Sequence, residues 1–180
     1  MEGSAWIFLI SAVKNFRTNP TIIKELVSAG ADVNAEDKYG WTVLMCYISD
    51  NGYINPEIVR ELLAAGADIN ADIEGETVLM HYVSENRYVN PEIVKEMIAA
   101  GADVEAEDKD FETVLMRYVL RHKYDIDPEI LRILIAAGAD IDAKDKNGKT
   151  LLMKAAKYDE NQAKRIKSLL DAAKENAVPK

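Results

Sequence analysis

Several residues in this chain have side chains that could do chemistry. The stretch NGKT (147–150) contains the Gly-Lys-Thr that closes a phosphate-binding loop, where backbone amides and a lysine hold the phosphates. That loop also needs a glycine at 143, where Ala143 stands. His81 and His122 could ligate a metal or carry a proton, but they lie 41 residues apart with no cysteine or histidine at metal-ligand spacing. Cys46 becomes a nucleophile only beside a base. His81 occupies the matching position one sequence unit later, a pairing that a repeating chain produces for no catalytic reason. The aspartates of ADVNAED (31–37) are turn formers first, and paired-carboxylate catalysis would need a cleft around them. The chemistry-bearing residues therefore predict no enzyme, no metal and no cofactor.

The same residues recur because the chain repeats. AGAD stands at 29–32, 65–68, 100–103 and 137–140, its glycines 36, 35 and 37 residues apart. Thr42, Thr77, Thr113 and Thr150 step by 35, 36 and 37. A period of this size marks stacked supersecondary units. Each threonine precedes a short apolar run and can cap a first helix. Asn19-Pro20, Asn55-Pro56, Asn90-Pro91 and Asp127-Pro128 predict a second: a capping side chain, then proline where its missing N–H costs nothing. The second helix keeps one apolar template, for example Ile58, Val59, Leu62 and Leu63, and a glycine closes it. No such helix pair can bury its stripe alone, so the units must stack.

A net charge of −9 and a pI near 4.8 oppose the phosphate backbone, so nucleic acid is not an expected partner. The single cysteine excludes internal disulfides and fits a reducing compartment. The apolar run AWIFLISAV (5–13) lacks the flanks of a signal peptide and is shorter than the roughly 20 residues of a membrane span. The expected location is cytoplasmic.

Helix, turn, helix and then the GADVNA–D–G–T connection resemble the ankyrin repeat over nearly the whole chain. The resemblance implies an all-α solenoid in one domain, with repeats at about 1–36, 37–71, 72–107, 108–144 and 145–180, the outer two acting as caps. The departures are instructive. Val43, Val78, Val114 and Leu151 replace the family's proline, and Met45, Met80, Met116 and Met153 its histidine, so packing is expected where the family uses a threonine–histidine network. Three repeats carry about one extra turn, and tyrosines (Tyr47, Tyr82, Tyr118, then Tyr53, Tyr88, Tyr124) are expected to fill the space it opens. Near-identical NPEIV copies suit a redesigned chain, whereas irregular hairpins suit natural ancestry.

The resemblance implies binding of a protein partner through hairpin tips and the concave face of the first helices. The tip positions include Tyr39, Trp41, Ile73, Glu76, Asp110, Glu112 and Lys149; the groove positions include Cys46, Asp50, His81, Glu85, Arg117, Leu120, Arg121 and Lys154. Residue type varies at these places within a constant frame, as a recognition surface should. Tyr39, Trp41, Ile73 and Phe111 are expected to expose apolar groups. Phe111 stands where the sister hairpins have Gly40, Gly75 and Gly148, so it is expected to hold a left-handed backbone. Arg117, Arg121, His122, Lys123, Lys154 and Lys157 should form a basic patch suited to an acidic segment of the partner. The chain is expected to be monomeric; the alternatives are a scaffold without a dedicated partner, or self-association through Trp6, Ile7 and Phe8.

Overall fold

The structure is a computed structural model and describes residues 5–15, 19–49 and 54–177. Within them the chain runs through α1 (Ala5–Val13), α2 (Pro20–Ser28), α3 (Val43–Ile48), α4 (Pro56–Ala64), a two-stranded antiparallel hairpin of β1 (Asp72–Ile73) and β2 (Glu76–Thr77), α5 (Val78–Glu85), α6 (Pro91–Ala99), α7 (Val114–Arg121), α8 (Pro128–Ala136), α9 (Leu151–Tyr158) and α10 (Glu160–Ala177). Odd-numbered helices stack in one layer from α1 to α9, even-numbered helices in a second from α2 to α10, and α10 also packs on α9. This is an all-α solenoid. The other connections form hairpins closed by single bridges, Glu36 with Thr42, Glu107 with Thr113 and Lys144 with Thr150.

The caps form as the residue types dictate. Thr42, Thr77, Thr113 and Thr150 each accept from the amide three residues on, at 3.3 to 3.4 Å. Asn19, Asn55, Asn90 and Asp127 each accept from the amide two residues on, with proline between. Met45, Met80 and Met116 are buried, so packing does occupy the place of the threonine–histidine network; Met153, which no helix of the described residues covers, is exposed.

The tyrosine expectation holds for half its residues. Tyr47, Tyr82 and Tyr118 are buried, and their hydroxyls accept from the amides of Asn55, Asn90 and Asp127 at 2.8 to 2.9 Å, tying the end of one helix to the start of the next. Burial pushes the Tyr82 and Tyr118 phenols up to about 12. Tyr88 and Tyr124 fill nothing: they lie on the connecting loop, exposed, under the side chains of Arg87 and Lys123. Tyr53 is outside the described residues.

A ladder of side-chain amides crosses the stack. Asn34 donates Nδ2–H to the Gly66 carbonyl at 2.9 Å and accepts from the Asp68 amide at 2.8 Å; Asn70 does the same with Gly101 and Asp103. At the next rung stands Glu105, which accepts from the Asp140 amide at 2.8 Å. A carboxylate has no N–H, so it cannot donate to the carbonyl of Gly138.

Candidate functional site

Each hairpin is held by the aspartate that opens it. Asp37 Oδ1 accepts from the amides of Tyr39 and Trp41, Asp108 Oδ1 from Asp110 and Glu112, and Asp145 Oδ1 from Asn147 and Lys149, at 2.8 to 3.1 Å. In the hairpin between β1 and β2, Asp72 Oδ1 accepts from Gly75 at 2.8 Å. Two large rings project from these tips: Tyr39 is 68% exposed and Phe111 52%. Phe111 has φ 57°, the left-handed backbone expected of it, and Glu74 has φ 54°, which the sequence does not announce. Adjacent tips are joined by ion pairs between Lys109 and Glu74 and between Lys146 and Asp110, and by the Lys146 amide donating to the Asp110 carbonyl at 2.9 Å. Lys149 is exposed beside them.

Two tip residues differ from expectation. Trp41 and Ile73 are half-buried against the core: Ile73 lies in β1 and Trp41 next to the bridge residue Thr42, beside the paired segment and not at the free tip. Trp41 lies over His81, ring centroids 5.0 Å apart.

That contact is the first step of a seam. The hairpin position held by Trp41, Glu76 and Glu112 meets the helix position held by His81, Arg117 and Lys154, each time across one unit boundary. Glu76 pairs with Arg117, whose Nε also lies 3.2 Å from Asp108 Oδ2. Glu112 pairs with Lys154, whose Nζ also lies 2.9 Å from Asp145 Oδ2. The Lys154 ammonium first, then the amides of Lys149 and Asn147, hold the Asp145 carboxyl well below the usual carboxylate range. His81 is buried and both its ring nitrogens lack a hydrogen-bond partner; burial lowers its pKa, outweighing Glu76 at 3.6 Å. It is therefore a neutral ring packed under Trp41.

The seam corrects the expected basic patch. Arg117 and Lys154 are neutralised by carboxylates on both sides, Arg121 Nε donates to the Ser84 carbonyl at 2.8 Å, and His122 Nε2 lies 2.9 Å from the Val83 carbonyl. Glu85 and Arg121 remain exposed on the groove, and Leu120 is half-buried there. Asp50 lies outside the described residues.

Cys46 is buried, and its partners are Asp37 Oδ2 at 3.9 Å and the Trp41 carbonyl at 4.0 Å. Burial raises the thiol pKa, which removes the thiolate a nucleophile needs. The residue lines an open cavity of about 440 Å³ together with Lys14, Asp37, Tyr39, Trp41 and Ser49. Sequence reasoning missed Lys14, whose ammonium lies 3.5 Å from Asp37, and the second partners Asp108 and Asp145; their fixed offset from the tips was the signal available.

Among the described residues, no cluster of His, Cys, Asp or Glu is placed to hold a metal ion, and no helix is long and apolar enough to cross a membrane. A family model described as ankyrin repeats (3 copies) matches residues 9–108 and, overlapping, 81–178. The chain belongs to the ankyrin repeat family. Ankyrin repeats are in general protein-interaction modules and not enzymes. No curated protein matches the chain.

Proposed function

We propose that this ankyrin domain, five repeats from 1–36 to 145–180, is a non-catalytic module that binds a protein partner chiefly through its hairpin tips. The observation that carries the reading is Phe111. A bulky residue in left-handed backbone costs roughly 1–3 kcal/mol, and here the ring is spent on solvent exposure and not on the core. Tyr39 presents a second ring, and aromatic side chains are favoured anchors at interfaces. Cross-linked tips arrive pre-ordered, which reduces the entropy lost on association. Because Arg117 and Lys154 are each paired with two carboxylates, the partner surface is better matched by apolar pockets and mixed charge than by an acidic segment alone. The test is a titration against a purified partner with Tyr39→Ser and Phe111→Gly: each should weaken binding at least tenfold, while Lys167→Ala on α10 should not. Unchanged affinity in both tip variants would refute the tip reading.

A second reading is supported by the exposed outer face of the first described helix pair. Phe8 and Ile22 are 63% and 45% exposed, whereas Val43 and Ile58, which hold the same template positions one unit on, are 0% and 2%. Self-association through that face would show as a concentration-dependent mass in light scattering, lost on Phe8→Ser.

A further inference from the structure

In two hairpins the opening aspartate divides its carboxylate between two tasks: Oδ1 accepts from the hairpin's own amides, and Oδ2 meets a cation nine residues on. Arg117 Nε lies 3.2 Å from Asp108 Oδ2 and Lys154 Nζ 2.9 Å from Asp145 Oδ2, with side chains only 22% and 18% exposed. Nine residues after Asp37 stands Cys46, whose thiol is 3.9 Å from Asp37 Oδ2 and brings no charge. The one cation near this oxygen is Lys14, which arrives from the preceding helix pair, lies 3.5 Å away and is 48% exposed. An exposed pair of that length contributes little and exchanges readily. Asp37 also borders the cavity of about 440 Å³, whose lining includes two rings, Tyr39 and Trp41. At the same offsets the sister hairpins carry Asp110 and Glu112, or Asn147 and Lys149, so of these three hairpins this one alone sets aromatic rings beside the aspartate.

We propose that this cavity receives one arginine side chain of a protein partner, its guanidinium taking the place at Asp37 that Arg117 takes at Asp108. The source of the guanidinium rests on the protein-binding reading above; the site itself does not. A planar guanidinium can stack on an aromatic face while its fork of N–H groups bonds a carboxylate, which a compact ammonium such as Lys14 cannot match. The Tyr39 ring already attracts a cation, the Lys38 ammonium 4.8 Å from its centroid. Ser49 lines the same cavity, and its buried Oγ has no hydrogen-bond partner, so it is an acceptor available to a guanidinium N–H. Cavities that hold drug-sized ligands begin at roughly 300 Å³, so the methylenes of the arginine enter with its head group.

The experiment is a titration of the whole chain with N-acetyl-arginine N-methylamide, followed by the Trp41 indole N–H and Tyr39 amide resonances. Saturable shifts with a dissociation constant on the order of 1 mM are expected for so small a ligand. The citrulline analogue, similar in shape but uncharged, should not saturate. Asp37→Asn keeps an acceptor for the hairpin amides, removes the charge and should weaken binding at least fivefold, whereas Lys14→Met removes the competing ammonium and should tighten it at least threefold. Cys46→Arg should place the chain's own guanidinium at Asp37 and abolish the shifts; if that variant does not fold, the Asp37 and Lys14 variants decide. No saturation by the arginine probe, equal saturation by the citrulline analogue, or unchanged affinity in both Asp37→Asn and Lys14→Met would overturn the proposal. Saturation by free L-arginine but not by the capped probe would overturn it as well, because it assigns a small-molecule site. The probe reads the cavity with no partner present, so failure here leaves the Phe111→Gly result of the partner titration standing, and failure of that titration leaves the guanidinium site standing.

Discussion

Gly75 and Phe111 occupy the same turn position in consecutive hairpins, and they should respond to substitution in opposite ways. A Cβ added at Gly75 would meet the Glu107 carbonyl oxygen at 3.0 Å and the Asp108 Cα at 3.1 Å, both backbone atoms of the next hairpin, while φ is +82°. Gly75→Ala should therefore carry a left-handed penalty of about 1–2 kcal/mol and an overpacking penalty of about 1–3 kcal/mol. Gly148→Ala is the matched control: φ is +71° and nothing lies within 4 Å, so it should cost about 1–2 kcal/mol. Phe111→Gly relieves about 1–2 kcal/mol of backbone strain. Against that stand about 0.5–1 kcal/mol of added unfolded-chain entropy and about 1 kcal/mol for the half of the ring that is buried. These contributions cancel to within about 1 kcal/mol. Urea unfolding, with midpoint shifts compared at constant slope, measures all three. Equal losses for Gly75→Ala and Gly148→Ala would refute the argument that adjacent hairpins touch at Gly75. A loss of about 3 kcal/mol or more for Phe111→Gly would show that its ring is part of the core.

Two further outcomes follow from the stack. Glu105→Asn should restore the missing rung by donating to Gly138 and stabilise the protein by about 1 kcal/mol, read from the same urea midpoints, whereas Asn70→Glu should destabilise by a similar amount or more. Burial lowers the pKa of both His81 and His122 in the folded protein, so the unfolded chain binds more protons as pH falls below about 6.5. Stability should be full above that pH and decline as pH drops toward the folded-state values, by up to about 1.4 kcal/mol per pH unit for each histidine; Glu76, Glu85 and Arg117 around His81 modulate the range. His81→Gln should flatten this decline in pH-dependent thermal melts, and an unchanged slope would show that His81 is not the source.

The frame was legible because its signals are local and repeated. A threonine three residues before an amide it can accept from, or Asn-Pro at a helix start, needs no tertiary information, and the family assignment rests on such residues. Phe111 was legible for the same reason: its sisters are glycines. Position 41 shows what was not legible. Trp41, Glu76 and Glu112 look like free variation down one column, as do His81, Arg117 and Lys154 down another. Only the stagger between one hairpin and the next helix reveals that each member of the first column touches one member of the second. The expected basic patch failed there, since a count of cations takes no account of the carboxylates that stacking brings against them. Trp41 and Ile73 were misread as exposed because turn neighbours share a loop but face different sides of it.

The seam also constrains how such a surface can change. Replacing Glu76 alone leaves Arg117 with one carboxylate instead of two, and replacing Trp41 alone uncovers a histidine whose nitrogens have no partner. Neither position can drift independently, so new specificities on this face are reached by exchanging dyads: an aromatic pair for an ionic one, or an arginine–glutamate pair for lysine–glutamate, as the chain itself does from one repeat to the next. A combinatorial library that varied 41 with 81, 76 with 117 and 112 with 154 as linked codons would retain folded members at a far higher rate than one that varied the six sites separately.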